Sequence, residues 1–143
     1  NQNDIKLESL IGYCNLKLEN YDVALKHYFK LEYLNPDTTS TLRPIAWCYF
    51  ALGELDKSEK YYQKVMNLSP DYFDYVNYGH LKWAVGDRKA AIENYLQSTS
   101  FKNFNFSELQ KTILGDTAVL EEAGIDKEEL PLMNDYLRFK AKK

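Results

Sequence analysis

A skeleton of small, aromatic and proline residues recurs along the chain at a spacing of 34 residues. Residues 19–36 read ENYDVALKHYFKLEYLNP, and residues 53–70 read GELDKSEKYYQKVMNLSP. Few letters agree, but both segments have a small residue, a Tyr four positions later, an apolar residue six positions after the Tyr, and a Pro two positions after that. Self-similarity at a period of about 20–50 residues is the signature of repeat architectures, so this spacing constrains the fold before any local pattern does.

A third copy of the skeleton follows 33 residues after the second. Ser58 and Tyr62 correspond to Ala91 and Tyr95, and the lost residue falls in the segment between the copies. Asn103 stands where the third copy would carry its Pro. We therefore expect the chain after this copy to depart from the repeat pattern.

Within each copy, apolar residues recur in steps of three and four, which is the period of an amphipathic α-helix. In the first copy the polar sequence ENYD interrupts this stripe and predicts two helices joined by a short turn. The corresponding turns of the other copies, GELD and GDRK, begin with Gly. Glycine tolerates the left-handed backbone conformation that ends many helices, so the turns support the helix assignment.

The three copies resemble the tetratricopeptide repeat. That family places a small residue and an aromatic residue on the first helix, Ala followed four residues later by an aromatic residue on the second, and Pro after it. The residues that match this pattern are Gly12, Ala24, Tyr28 and Pro36, then Ala46, Tyr49, Ser58, Tyr62 and Pro70, then Gly79, Ala91 and Tyr95. Asn15 and Lys82 depart from it, because they stand where the family has the aromatic side chain of the first helix.

The resemblance covers residues 5–103 and implies an all-α fold, a right-handed α-α superhelix (solenoid) of three helix-turn-helix repeats. The repeats are assigned to residues 5–38, 39–71 and 72–103. A two-helix unit cannot bury its apolar face alone, so the units must stack. Where helices cross closely only a small side chain fits, which explains Gly12 and its small counterparts, with Tyr side chains filling the gap one turn on.

Residues 104–143 do not match a further repeat. Ser107 suits the N-cap of a helix because Gln110 follows three residues later, and a last helix is predicted with Pro131 in its first turn. Two interpretations remain open for this region. It is either a set of C-terminal capping helices or a degenerate fourth repeat, since Leu114–Gly115 echoes the small residue of the first helix.

No constellation of residues predicts catalysis, a metal site or a cofactor. His27 and His80 are not spaced with other ligands for a metal, and both are interpreted as surface or groove side chains. Cys14 and Cys48 hold the same position in successive repeats, about 8–10 Å apart on stacked helices, so we interpret them as small core residues and not as a disulfide. Neither a phosphate-binding loop nor a nucleophile motif occurs. We therefore predict that the chain is not an enzyme.

The composition argues against other classes of function. The 143 residues carry a net charge of −3 with acids and bases interspersed, whereas nucleic-acid-binding domains usually show a basic face. No apolar run approaches the ~18 residues that a membrane span requires. The chain begins at Asn1 without an initiator Met, so we expect a fragment or a processed form. For its compartment our expectation is the cytoplasm.

The resemblance also implies a binding surface on the first helix of each repeat, which lines the concave face of such arrays. Trp47, Phe50 and Trp83 are its strongest signal, because large aromatic side chains are enriched at binding hot spots. Nine side chains are predicted to contact a partner: Lys6, Tyr13, Lys17, Arg43, Trp47, Phe50, Phe73, His80 and Trp83. The alternative is that the C-terminal helices, or a second copy of the chain, cover these aromatic residues.

The sequence thus favours a non-catalytic scaffold that binds a peptide or protein on its concave face. The basic residues among the nine indicate a ligand with apolar anchors and some acidic character. Two other hypotheses remain open. One is the sensory or dimerising segment of a larger enzyme or regulator, and the other is a homo-oligomerisation module.

Overall fold

The computed structural model describes residues 2–141, and within this stretch the backbone forms nine α-helices and no strand. This confirms the predicted all-α fold and fits a helical-repeat solenoid. The helices are α1 (Gln2–Lys17), α2 (Tyr21–Leu34), α3 (Thr39–Ala51), α4 (Leu55–Leu68), α5 (Tyr72–Ala84), α6 (Arg88–Ser98), α7 (Phe106–Gly115), α8 (Thr117–Glu122) and α9 (Glu129–Ala141).

The helices fall into two compact units, each with its own core. Unit 1 contains α1–α4, in which α1 packs on α2, α2 on α3 and α3 on α4. Unit 2 contains α5–α9, in which α6 packs on α5, α7 and α9. The core of unit 1 is built on Ala24, Leu25, Tyr28, Leu31, Ile45 and Cys48. The core of unit 2 joins Val76, Ala91 and Tyr95 of the third pair to apolar residues of all three C-terminal helices.

Short turns with one left-handed residue join the helices of the first three pairs. Gly53 and Gly86 hold this position with φ of 78° and 89°, as the sequence predicted. In the first pair the position belongs to Glu19, with φ of 63°. A residue with a Cβ adopts this conformation at a cost of about 1 kcal/mol, whereas Gly does not.

The small residues of the repeat lie where the sequence predicted close helix packing. A Cβ added to Gly12 would lie 3.0 Å from the Tyr28 ring, and one added to Gly79 would lie 2.7 Å from the Tyr95 ring. The second pair is held differently, because Ser58 Oγ donates a hydrogen bond of 2.8 Å to the carbonyl of Ala46. Each Tyr therefore fills the space that its small partner leaves.

The C-terminal helices begin partly where predicted. Pro131 is the third residue of α9 and lies in its first turn, as expected. The predicted N-cap Ser107 is wrong, because Asn105 caps α7 and its side chain accepts a hydrogen bond of 3.0 Å from the Glu108 amide. Asn and Ser are comparable N-caps, and the earlier residue has the extended backbone that a cap requires. Across residues 2–141 no helix combines the length and the apolar character that crossing a bilayer demands.

Candidate functional site

The predicted contact residues of α1 share one exposed face. Lys6, Tyr13 and Lys17 are separated by seven and four residues, which places them above one another on a helix. All three are exposed, with Tyr13 at 51%. The Lys17 ammonium lies 5.4 Å from the centroid of the Tyr13 ring, within the range of a cation–π contact. This helix thus presents an aromatic ring between two positive charges.

On α3 the predicted residues also share a face, but they differ in exposure. Arg43 and Trp47 are half-buried, whereas Phe50 is only 3% exposed. The Trp47 and Phe50 rings lie 5.5 Å apart between centroids, so the buried ring supports the more exposed one. The structure therefore removes Phe50 from the set of side chains that reach solvent.

At the start of α5, Phe73 lies on an aromatic stack. Phe73 is 47% exposed, and its ring centroid is 4.3 Å from that of Tyr72. Tyr72 stacks in turn on Phe104, also at 4.3 Å, in the segment that precedes α7. The exposed ring is thus held by residues on both sides of the third helix pair.

His80 is not a surface or groove side chain, as the sequence had suggested, but is fully buried. Its Nδ1 lies 2.6 Å from the Tyr95 hydroxyl, and its Nε2 lies 2.9 Å from Asp116 Oδ2, at the junction of α7 and α8. A neutral ring that donates from Nε2 to the carboxylate and accepts at Nδ1 from the hydroxyl satisfies both contacts. His80 therefore ties the third pair to the C-terminal helices.

Trp83 is also buried, with 4% of its surface exposed. It belongs to the core of unit 2 together with Leu130 and Met133, which are both residues of α9. Its ring meets Tyr95 edge-on, with centroids 6.2 Å apart and planes at 84°. For this residue the C-terminal helices cover the predicted surface, which is the alternative that the sequence left open.

Two stretches of the chain match the sequence model of the tetratricopeptide repeat, residues 45–72 and residues 75–105. The first match includes most of α3 and all of α4, and the second includes most of α5 and all of α6. The chain thus contains tetratricopeptide repeats. No curated protein sequence matches it.

Tetratricopeptide repeats generally mediate protein–protein interactions, and the family generally consists of scaffolds without catalysis. Burial keeps two titratable side chains of this tetratricopeptide repeat protein neutral. Burial raises the pKa of Tyr28 and that of the Cys48 thiol to about 12, so neither ionises at neutral pH. No group of three or more His, Cys, Asp or Glu side chains within residues 2–141 could hold a metal ion.

The two cysteines of this tetratricopeptide repeat protein do not share one environment. Cys48 is buried in the core of unit 1, as predicted, but Cys14 is exposed, so its interpretation as a core residue is wrong. The reason is that α2 packs on α3, which carries Cys48, and that α1 lacks an equivalent neighbour among the described residues.

Sequence reasoning missed the residues that occupy the end of the third repeat. Asp116 contacts His80 from 36 residues away, and Met133, 50 residues away from Trp83, belongs to the same buried cluster. Neither residue belongs to the repeat pattern, so the period gives no signal for them. The one signal in the sequence was the polar His80 within an otherwise apolar helical stripe, because a buried polar side chain requires a hydrogen-bond partner.

Proposed function

We propose that this tetratricopeptide repeat protein is a non-catalytic scaffold that binds a protein or peptide segment through the first helices of its repeats. The single observation that carries the proposal is the exposed face of α1, where Tyr13 lies between Lys6 and Lys17. Arg43 and Trp47 on α3 continue the same combination of aromatic and basic side chains. We call these five residues the basic–aromatic surface.

The chemistry of this surface specifies the ligand. Three of its five side chains are cationic in a chain whose net charge is −3. A ligand with acidic side chains would therefore be attracted, and its apolar anchors would contact Tyr13 and Trp47. We also propose a cytoplasmic location, which fluorescence microscopy of the tagged full-length protein in its native cells tests.

The test begins with random peptides displayed on phage and selected on the purified protein. Fluorescence anisotropy then measures the affinity of the selected peptides for the wild type and for the double variant Tyr13→Ala, Trp47→Ala. Two hot-spot aromatics contribute about 2 kcal/mol or more each, so we expect a loss of affinity of roughly 700-fold. Circular dichroism checks that the variant retains its helices.

Tyr33→Ala is the matched control, because Tyr33 is 87% exposed but lies on α2, the second helix of its repeat. We expect this variant to bind as the wild type does. Acidic peptides should also bind more weakly as salt is raised, since salt screens exposed charges. Equal affinity of the wild type and the double variant for every selected peptide would contradict the proposal.

A second candidate function is self-association through α1. Leu7, Leu10 and Cys14 are exposed, while Thr41 and Cys48, the counterparts of Leu7 and Cys14 on α3, are buried. The repeat normally buries this helix face, so its exposure on α1 favours contact with a second protein surface. Light scattering across a concentration series tests this proposal, with Leu10→Glu as the variant, and a mass that stays monomeric at all concentrations excludes it.

A further inference from the structure

We propose that copies of this chain associate head to tail, with an exposed apolar face of α1 in one copy packed antiparallel on an exposed apolar face of α9 in the next. The inference rests on the second candidate function, self-association through α1, and identifies the surface that α1 meets. The α1 face consists of Leu7, Leu10 and Cys14, and the α9 face consists of Leu132, Tyr136 and Phe139.

The α1 face has the form of a surface that a helix covers. Leu7 and Leu10 are 55% and 59% exposed, and Cys14 follows four residues later, so the three side chains form one stripe. In the second repeat Cys48 holds the position of Cys14, and it lies in a buried cluster with Leu25 and other residues of α2. The same position is thus covered there by a helix, and an apolar stripe on another helix is the shape that fits α1.

The helix α9 carries two apolar stripes. One of them, which includes Met133 and Leu137, is buried in the core of unit 2. The other is the α9 face, in which Leu132 is 67% exposed, Tyr136 43% and Phe139 59%. A surface helix usually has a polar face opposite its buried stripe, so a second apolar stripe indicates contact with another protein surface.

Charges at the ends of the two helices favour an antiparallel arrangement. The first turn of α1 contains Asp4, and its last turn contains Lys17. The first turn of α9 contains Glu129, and its last turn contains Arg138 and Lys140. Antiparallel packing places the acidic start of each helix beside the basic end of the other, whereas parallel packing would place like charges together. The opposed helix dipoles act in the same direction.

Charges beside the stripes favour α9 over a second α1 as the partner of the α1 face. Lys6 lies four residues before Leu10 and Lys17 lies seven residues after it, so both ammonium groups border the same edge of the stripe. On α9 the edge of the same hand carries Asp135, three residues after Leu132, with 74% of its side chain exposed. Antiparallel packing brings edges of the same hand together. Two α1 faces would therefore oppose ammonium groups to ammonium groups, whereas the α9 face offers a carboxylate.

The apolar faces supply most of the affinity, and the charges supply orientation. Asp135 lies 3.8 Å from Arg138, and Glu129 accepts a hydrogen bond from Arg88, so pairs between copies compete with these existing contacts. Exposed ion pairs contribute little in any case. One pair of helices buries less than the roughly 1,200 Å² of stable complexes, so we expect weak association and a concentration series that extends to about 1 mM.

The arrangement predicts how the mass grows with concentration. The surface that one copy contributes differs from the surface of its neighbour, so a dimer still presents one α1 face and one α9 face. Further copies add to these faces until a ring closes. A contact between two α1 faces would instead use the same surface twice and stop at a dimer.

The test uses light scattering and sedimentation velocity on the full chain and on two variants. Leu10→Glu blocks the α1 face and Leu132→Glu blocks the α9 face, and we expect each to weaken self-association at least roughly tenfold, because a charge is placed in an apolar contact. Leu114→Glu, at a residue on α7 that is 70% exposed, is the control and should associate as the wild type does. Circular dichroism checks that each variant retains its helices.

A mixture of the two blocked variants is the decisive measurement. The Leu10→Glu chain retains its α9 face and the Leu132→Glu chain retains its α1 face. We expect the mixture to form a complex of one copy of each and nothing larger, although each variant alone stays monomeric at the same concentration. A mixture that forms no complex would overturn the proposal.

Reversal of the edge charges tests the pairing of the two helices. Lys6→Glu together with Lys17→Glu should weaken association about 2–10-fold at low salt, because carboxylates would then oppose Asp135. Adding Asp135→Lys to this chain should restore association. If the third substitution restores nothing, the antiparallel pairing is wrong.

Failure of this proposal and failure of α1 self-association are distinguishable. A wild type that stays monomeric at all concentrations excludes both. If Leu10→Glu is monomeric while Leu132→Glu associates as the wild type does, α1 mediates self-association but the α9 face is not its partner. Both blocked variants retain the basic–aromatic surface, so their affinity for the selected peptides is measured separately.

Discussion

Gly79 and the ring of Tyr95 are in direct contact, so closely that a Cβ on Gly79 would lie 2.7 Å from Cε1 and 2.8 Å from Cδ1 of the ring. Tyr95 is fully buried, and its hydroxyl is engaged by His80. The ring therefore has no space to move away from an added methyl group. This contact fixes the spacing between α5 and α6. Close packing of the third repeat therefore requires a small residue at position 79.

Gly79→Ala should destabilise the protein by about 1–2 kcal/mol. Overpacking a buried site costs about 1–3 kcal/mol, and the better helix propensity of Ala returns up to about 1 kcal/mol. Gly115→Ala is the control, because no atom lies within 4 Å of a Cβ added there. Urea denaturation should show equal or higher stability for the control. A Gly79→Ala protein as stable as Gly115→Ala would disprove the close packing.

Glu19→Gly should stabilise the protein by roughly 0.5–1 kcal/mol. Glu19 has φ of 63°, a conformation in which Gly avoids the strain caused by a Cβ. Gly53 holds the same turn position in the second repeat with φ of 78°, so Gly53→Ala should destabilise by a similar amount. Thermal and urea unfolding of both variants measure the two effects. Changes of the same sign in the two variants would contradict the argument.

Asp116→Ala should lower the free energy of unfolding by about 1–3 kcal/mol, because it leaves the buried Nε2 of His80 without its partner at 2.9 Å. Asp116→Asn retains an acceptor oxygen at this place and should lose less. Hydrogen exchange adds a second measurement, since the alanine variant should lose protection in α5 and α7 more than in α3. Uniform loss across all helices would show that the contact does not tie these elements together.

Stability should fall as pH rises from about 10 to about 12. Burial raises the pKa of Tyr28 to about 12 from its usual 10.0, so only the neutral phenol suits the folded state. The contribution is complete below the unfolded pKa and is lost as pH passes through the folded pKa, by an amount up to about 2–3 kcal/mol. Burial raises the pKa of Cys48 to about 12 as well, and its thiol acts in the same direction.

Tyr28→Phe should therefore reduce the slope of stability against pH in this range, measured by urea denaturation at each pH. It should not abolish the slope, because Cys48 and Tyr95 also have raised pKa values. Tyr33→Phe, which alters a ring that is 87% exposed, is the control. If the slopes of the Tyr28 and Tyr33 variants are the same, burial of Tyr28 does not cause the effect.

The repeat period predicted the helices well because it reflects local packing. Gly12 and Tyr28 lie within one helix pair, so their spacing in sequence encodes their contact in space. The left-handed turns at Gly53 and Gly86 follow from the same local pattern. Contacts and turns within one helix pair can therefore be predicted from spacing in the sequence.

The predictions that were wrong concern contacts between residues far apart in the sequence. Trp83 shares a buried cluster with Met133, and His80 contacts Asp116, and both of these residues lie outside the repeats. Cys14 and Cys48 have equivalent positions but different exposure, because the neighbouring helix and not the residue decides burial. Such differences in burial between copies follow from the elements that pack beside each copy. The repeat pattern contains only what the copies share, so it does not predict these differences.

The contact of His80 with Asp116 has a consequence for how this array could lengthen. Copies of a repeat are interchangeable only while each meets its neighbour through the same side chains. In the third copy, His80 is hydrogen-bonded instead to Asp116, and Trp83 lies in one buried cluster with residues of the C-terminal helices. A duplicated repeat inserted directly after α6 would part these residues from their partners, whereas the first copy carries no such matched pair. The contacts of His80 and Trp83 thus disfavour lengthening of the array by insertion of a further repeat directly after α6.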